Sequence, residues 1–180
     1  APSTAYGVAP PNPGTIKRID HLTAEISDFA TLPNLGPATG NLNYDCVSET
    51  IYVSSVEDGR IYQFDMTGQI VSTYHHGKGD VTLGPASDPG EPDGVVAPLG
   101  ELPWAVQSHA GRLYYSIWWD SILAGESPDH NNEIWSVGYK DDSGVPDPAT
   151  AKLEFSMPDD GVQKVPITDI SFAQTGWMLI

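Results

Sequence analysis

Two short segments contain side chains of the kinds that bind metal ions. Residues 129–133 read Asp-His-Asn-Asn-Glu, so Asp129 and Glu133 are candidate oxygen ligands for a hard cation such as calcium. The segment lacks the spaced Asp-x-Asp-x-Asp-Gly order of a calcium-binding loop, which favours a turn of solvated polar groups instead. His75 and His76 form the second segment, but adjacent side chains on a strand point to opposite faces. That favours a polar strand end over a shared metal ion.

Aromatic side chains are concentrated in one part of the chain, residues 104–135. Flat rings stack on sugar faces and are frequent at interfaces, so this part is a candidate surface for a glycan or protein ligand. The alternative is that the rings fill the space between packed sheets. Because Trp118 and Trp119 are adjacent on a predicted strand, we expect one of them to be more than half exposed. The candidate ligand-binding residues are Trp104, Tyr115, Trp118, Trp119 and Asp120.

The charge of the chain excludes some classes of partner. Among 180 residues there are 24 Asp and Glu against 8 Lys and Arg, a formal net charge of −16. Affinity for nucleic acid depends largely on Lys and Arg replacing counterions, so we expect no nucleic-acid partner. No stretch approaches the roughly twenty apolar residues that span a bilayer, so we also expect no membrane insertion.

Cys46 is the only cysteine, and its apolar-rich segment predicts a buried side chain rather than a nucleophile.

A repeated pattern predicts paired strands. Residues 14–20 read Gly-Thr-Ile-Lys-Arg-Ile-Asp and residues 59–65 read Gly-Arg-Ile-Tyr-Gln-Phe-Asp. Each copy precedes a polar turn and another strand. Residues 41–55, 104–117 and 168–180 each read as an alternating strand, a tight polar turn and a more continuously apolar strand that we expect to be buried on both faces. Strands are expected near 51–55, 60–65, 113–118 and 168–172. Alternating the two patterns gives a four-stranded antiparallel meander of about forty residues, the length of a propeller blade.

The chain is therefore predicted to be an all-β protein, an incomplete β-propeller of which about three blades are present. The blade segments are 14–30, 41–75, 104–157 and 168–180, with long loops expected at 77–100 and 121–131. The last segment supplies only one hairpin of a blade and exposes an apolar edge. We expect this edge to pair with downstream blades of the same protein or with a neighbouring subunit. The edge residues are Trp177, Met178, Leu179 and Ile180.

Residues 51–65 read Ile-Tyr-Val-Ser-Ser-Val-Glu-Asp-Gly-Arg-Ile-Tyr-Gln-Phe-Asp, which closely resembles the blade pattern of bacterial propellers of the NHL and gluconolactonase-like superfamily. Residues 166–179 resemble the opening of another blade. The resemblance covers nearly the whole chain after residue 14 and implies a six-bladed propeller, about half of it outside this sequence. Many such relatives are large secreted or surface proteins, which implies an extracellular or cell-surface location.

The enzymatic members of the superfamily are lactonases that hold a divalent cation with carboxylate and amide side chains at the starts of their innermost strands. The matching positions are Asn41, Trp104 and Asp169, so the resemblance implies Asn41 and Asp169 as metal ligands, for example for calcium. The acidic glycine-proline motif that supplies the family's first metal ligand has no counterpart in this sequence. We therefore expect a non-catalytic extracellular or cell-surface module for protein or glycan binding or assembly. A divalent-metal-dependent lactonase-like hydrolase is the alternative.

Overall fold

The fold is built from antiparallel β-strands, many of them rich in the β-branched and aromatic residues that suit half-buried sheets. The computed structural model describes residues 14–34, 39–86, 97–119, 130–158 and 166–180. The strands are β1 (Thr15–Ile19), β2 (Ile26–Thr31), β3 (Thr39–Asp45), β4 (Thr50–Ser55), β5 (Arg60–Phe64), β6 (Ile70–His75), β7 (Asp80–Leu83), β8 (Leu102–His109), β9 (Arg112–Trp118), β10 (Glu133–Gly138), β11 (Lys152–Ser156), β12 (Ser171–Phe172) and β13 (Met178–Leu179).

Two sheets are complete meanders in which each strand pairs with the next one along the chain. The first large sheet contains β3 to β7, and the second contains β8 to β11. In both, the second strand (β4 and β9) is buried along most of its length. The expectation that the more apolar second strand of each hairpin is buried therefore holds for these two hairpins, whereas it is wrong for residues 177–180, which are largely exposed.

Two further sheets contain one hairpin each. The N-terminal pair consists of β1 and β2, and the C-terminal pair consists of β12 and β13. All four described sheets are open, and none of them closes into a barrel.

The hydrophobic core lies between successive sheets. Between the two large sheets, the buried side chains include Tyr52 and Tyr74 on one side and Tyr115 and Val137 on the other. The N-terminal pair packs against the first large sheet through residues such as Ile16. Buried residues of β8 and β10 likewise pack against the segment that leads into the C-terminal pair. Each sheet therefore packs against the next sheet in chain order.

Most strands lie where the sequence predicts them, including those near 51–55, 60–65 and 113–118. Of the strand predicted at 168–172, only Ser171–Phe172 is strand. Strand β7 lies inside the predicted loop 77–100. It was not predicted because its four residues lie between two turn glycines and show almost no alternating pattern. The predicted insertion at 121–131 lies almost entirely outside the described residues.

The prediction that Cys46 is buried is wrong. Strand β3 ends at Asp45, so Cys46 begins a turn and its side chain is exposed.

Candidate functional site

The first strands of both large sheets contain a bulge near their start, and a buried serine holds each bulge. The pairing register shifts between Thr39 and Leu42 in β3, and it shifts in the same way in β8. The hydroxyl of Ser54 accepts the amide N–H of Asn41 at 2.9 Å, and the hydroxyl of Ser116 accepts that of Ala105 at 2.9 Å. The two sheets therefore repeat one local arrangement.

The same two serines also connect each sheet to the next one. Ser54 donates to the main-chain carbonyl of Trp104 in β8. Ser116 donates to the carbonyl of Ile167, just before the C-terminal pair, at 2.7 Å. Through these bonds β8 lies against the first large sheet, and the segment just before β12 lies against the second.

Asn41 and Asp169 meet at this end. The Asn41 amide nitrogen lies 3.3 Å from a carboxylate oxygen of Asp169 and 3.1 Å from the carbonyl oxygen of Thr168. In both residues the side-chain oxygen accepts the N–H of the next residue, at 2.6 Å for Leu42 and 2.9 Å for Ile170. Two residues that are far apart in the sequence thus meet, Asn41 on β3 and Asp169 in the segment just before β12.

This arrangement does not fit a cation held by Asn41 and Asp169 together. Asn41 turns its amide nitrogen, a donor, toward Asp169, while its oxygen is occupied by the backbone. Glu133 lies on another strand, where it accepts the indole N–H of Trp135, and Asp129 lies outside the described residues. Within the described ranges, no group of three or more His, Cys, Asp or Glu side chains is placed to hold a metal ion.

A second feature is a cleft of about 410 Å³ between the two large sheets, which we call the aromatic cleft. It lies where β6 and β9 end and where the segment 97–101 leads into β8. Its walls include two indole rings, an imidazole ring and one carboxylate. The lining residues are Tyr74, His76, Gly77, Gly79, Leu99, Gly100, Glu101, Trp119, Trp135 and Ala151.

The imidazole of His76 is held by aromatic neighbours on the floor of the aromatic cleft. Its Nδ1 lies 3.0 Å from the hydroxyl of Tyr115, which is also 3.0 Å from the hydroxyl of Tyr74. Its ring centroid is 4.7 Å from that of Trp135, edge to face. Burial lowers the pKa of His76 to about 4, although the negative charge of Glu133 opposes the change. His76 is therefore neutral at pH 7.

Trp119 forms one side of the cleft because Gly100 leaves room for its ring. A side chain at position 100 would overlap the indole, and Gly100 also has φ +83°, where glycine is favoured. The ring of His130 is stacked on one face of the Trp119 ring, at a centroid distance of 4.2 Å. The indole nitrogen of Trp119 is buried, so this residue offers the cleft its ring rather than its N–H.

Glu101 supplies the carboxylate of the cleft. One of its oxygens lies 3.8 Å from Nε2 of His75. Burial lowers the pKa of His75, so the imidazole is mainly neutral at pH 7 and does not neutralise Glu101. The two adjacent histidines contact different partners: His75 ends β6 and lies near Glu101, whereas His76 follows the strand and contacts Tyr115.

Beside the cleft, the turn between β4 and β5 buries several charged groups. Glu57, Asp58 and Arg60 are all almost fully buried. Asp58 accepts hydrogen bonds from the Tyr62 hydroxyl and, at 3.2 Å, from the Arg60 amide. Burial raises the pKa of Asp58, and the Tyr62 hydrogen bond opposes that change. The segment 97–101 covers this turn, with the Ala97 amide donating to the Val56 carbonyl at 2.9 Å.

The expectation that Trp118 or Trp119 is more than half exposed is wrong. Trp118 is only 5% exposed and packs edge to face against Trp104, in a cluster with Val56 and Leu102. Trp119 is partly buried at the aromatic cleft, and Tyr115 is fully buried. Neighbouring elements cover both faces of the strand, the segment 97–102 on one and the first large sheet on the other. Asp120 lies outside the described residues.

Sequence reasoning found Trp119 but missed the other residues of the cleft. His76 was interpreted as a strand end, and Glu101 lies in a predicted loop. The lining comes from five separate segments, so no local pattern unites it. The glycines at 77, 79 and 100 are the one signal that was visible, because glycines next to aromatic strands allow close approach of a ring.

The predicted assembly edge is largely exposed. Trp177 is 73% exposed, and Leu179 and Ile180 are each 57% exposed. Among the described strands, β13 pairs only with β12.

The fold and these sites define an all-β protein with open antiparallel sheets, in which Asn41 and Asp169 form a polar contact between two of the sheets' starting segments. No family model matches the chain, and no curated protein matches it. The described part of the chain contains no helix that is long and apolar enough to span a membrane.

Proposed function

We propose that the chain is a binding module built as part of a β-propeller, of the NHL and gluconolactonase-like type, in a secreted or cell-surface protein. Three features support the propeller. The two large sheets are four- and five-stranded meanders, each sheet packs against the next in chain order, and Asn41 on β3 meets Asp169 just before β12. Ser54 and Ser116 repeat the same bridge from one sheet to the next.

The observation that carries the binding function is the aromatic cleft. Ligand sites are concave, largely apolar, and contain a few polar groups that fix orientation, and this cleft combines ring faces with the single carboxylate of Glu101. The cleft is also lined by residues of both large sheets, so a bound ligand would contact both of them.

The lactonase alternative is not favoured by the geometry at Asn41 and Asp169. The amide there faces the carboxylate as a donor, so the pair supplies no coordination sphere for a cation. We therefore assign the pair a role in joining the first strands.

Nuclear magnetic resonance of the five tryptophan indole N–H groups tests the proposal. The ¹⁵N-labelled chain would be titrated with a panel of neutral oligosaccharides, short peptides and small organic cations. We expect at least one member to shift the Trp119 and Trp135 signals while leaving that of Trp177 in place. A panel that moves none of them, or that moves only Trp177, would contradict a binding function at the cleft.

A further inference from the structure

We propose that the aromatic cleft binds a quaternary ammonium group, R–N(CH₃)₃⁺, between Trp119, Trp135 and the carboxylate of Glu101. This inference rests on the proposed binding function and names the class of ligand. Such groups are recognised by aromatic ring faces near a negative charge, because the π face attracts a cation that cannot donate hydrogen bonds.

The hydrogen-bonding groups of the cleft favour this ligand over a sugar. The indole N–H of Trp135 is donated to Glu133 at 2.8 Å. The hydroxyl of Tyr74 and Nδ1 of His76 are both occupied by the hydroxyl of Tyr115. A sugar needs several donors and acceptors for its hydroxyls, whereas the side chains of the described walls offer mainly ring faces, with the Glu101 carboxylate and Nε2 of His76 as their polar groups.

The charges around the cleft favour a cation. Glu101 lines the cleft, and Glu133 lies close enough to act on the charge of His76. The nearest cations, Lys78 and Arg60, both act on the charge of His75, but neither of them lines the cleft. The net charge of −16 adds a long-range attraction for cations and repels anionic ligands.

The decisive experiment compares choline with its uncharged isostere, 3,3-dimethylbutan-1-ol, by the shifts of the Trp119 and Trp135 indole signals. The two molecules have the same shape, so the difference in affinity measures the contribution of the charge. We expect choline to bind about tenfold or more tightly, the size expected for a cation between two rings and a carboxylate. Equal affinities would overturn the proposal.

Variants locate the interaction. Trp135→Ala should weaken choline binding about tenfold, and Glu101→Gln should weaken it about threefold or more, because each removes one attraction. Trp177→Ala is the matched control, since it removes an exposed indole that does not line the cleft, and it should change nothing. If Trp135→Ala does not fold, as judged by circular dichroism, Glu101→Gln still decides the matter, because unchanged binding in that variant contradicts the proposal.

Three forms of the group distinguish its source. Choline, phosphocholine and Nα-acetyl-trimethyllysine amide stand for a free small cation, a headgroup and a modified peptide, and the tightest binder identifies the source. If none of them shifts the Trp119 and Trp135 signals while an oligosaccharide does, the ligand class is wrong but the binding function holds. If no probe of any class shifts them, both proposals fail.

Discussion

His76 illustrates how the surroundings of a single side chain couple the stability of the fold to pH. Its ring packs against those of Tyr115 and Trp135, and its pKa is about 4 in the fold against 6.5 for the free side chain. As pH falls, the unfolded chain binds the proton first. The contribution of neutral His76 is therefore complete above pH 6.5 and is lost as pH falls toward 4.

We predict that His76→Phe flattens the loss of stability in acid. Between pH 7 and 4.5 the parent should lose roughly 2 kcal/mol more of its free energy of unfolding than the variant does, since Phe cannot take up the proton. Urea unfolding at both pH values measures this difference. His21→Phe, in the exposed turn after β1, serves as the control for replacing a histidine by phenylalanine. Parallel pH profiles for the parent and His76→Phe would contradict the assigned burial.

A second prediction concerns the serine bridges. Ser54→Ala and Ser116→Ala each leave a buried amide N–H and a carbonyl of the next sheet without their partner, so we expect a loss of about 2 kcal/mol in each case. Ser27→Ala, at an exposed position of β2, should stay within about 0.5 kcal/mol of the parent. Thermal unfolding provides the comparison. Equal effects at Ser27 and Ser54 would show that the bridges do not stabilise the fold.

For individual residues, the sequence predicted which side chains meet better than it predicted how exposed each side chain is. The pairing of Asn41 with Asp169 follows from matching positions in the repeat, and the two do meet. Their amide orientation and the burial of Trp118 depend on neighbours from other sheets, which no local pattern contains. A calcium ion at Asp129 or Glu133 stays a hypothesis, whereas the orientation of the Asn41 amide does not fit a cation shared with Asp169.

The elements follow the sequence closely wherever a strand is long and alternating or continuously apolar. Strands β4, β5 and β9 lie within about one residue of the predicted bounds, a normal margin for strand ends. Strand β7 could not be predicted, because Asp80–Leu83 is short and lies at the edge of its sheet. Hydrogen bonds from β6, rather than any pattern of its own, make it a strand.

The segment that leads into β8 depends on Gly100. We predict that Gly100→Ala destabilises the fold by more than 2 kcal/mol and broadens or shifts the Trp119 indole signal, because the added methyl overlaps the ring. Gly111→Ala is the matched control. It has a similar φ of +75° but nothing within 4 Å of the added methyl, so it should cost only about 1 to 2 kcal/mol of backbone strain. If both variants lose the same stability, the contact with Trp119 does not constrain position 100.

At the scale of the molecule, the two hairpin pairs are each only half of a four-stranded sheet among the described residues. The N-terminal pair packs on the first large sheet and contains only β1 and β2 among the described residues. The C-terminal pair contains only β12 and β13, and β13 has an exposed edge. In the proposed propeller, a neighbouring copy that pairs one hairpin with the other would complete one four-stranded sheet.

We predict that the 180-residue polypeptide associates in solution through the edge at residues 177–180. Light scattering should give a mass above the 19.3 kDa of one chain. Leu179→Lys should reduce the association, since a charge blunts an exposed strand edge, whereas Val47→Lys in the exposed turn after β3 should leave it unchanged. A stable monomer with one cooperative melt would show instead that the chain closes on itself.

The buried turn between β4 and β5 has a consequence for how this sequence can diverge. Turns of hairpins ordinarily accept substitutions and insertions freely, but a methyl group at Gly59 would lie 2.7 Å from the carbonyl oxygen of Glu101 and close to Ala97. Change in either segment is therefore tied to change in the other, although about forty residues separate them. As sequences related to this one accumulate, positions 57–60 and 97–101 should vary together, while the open turn at residues 20–25 drifts independently.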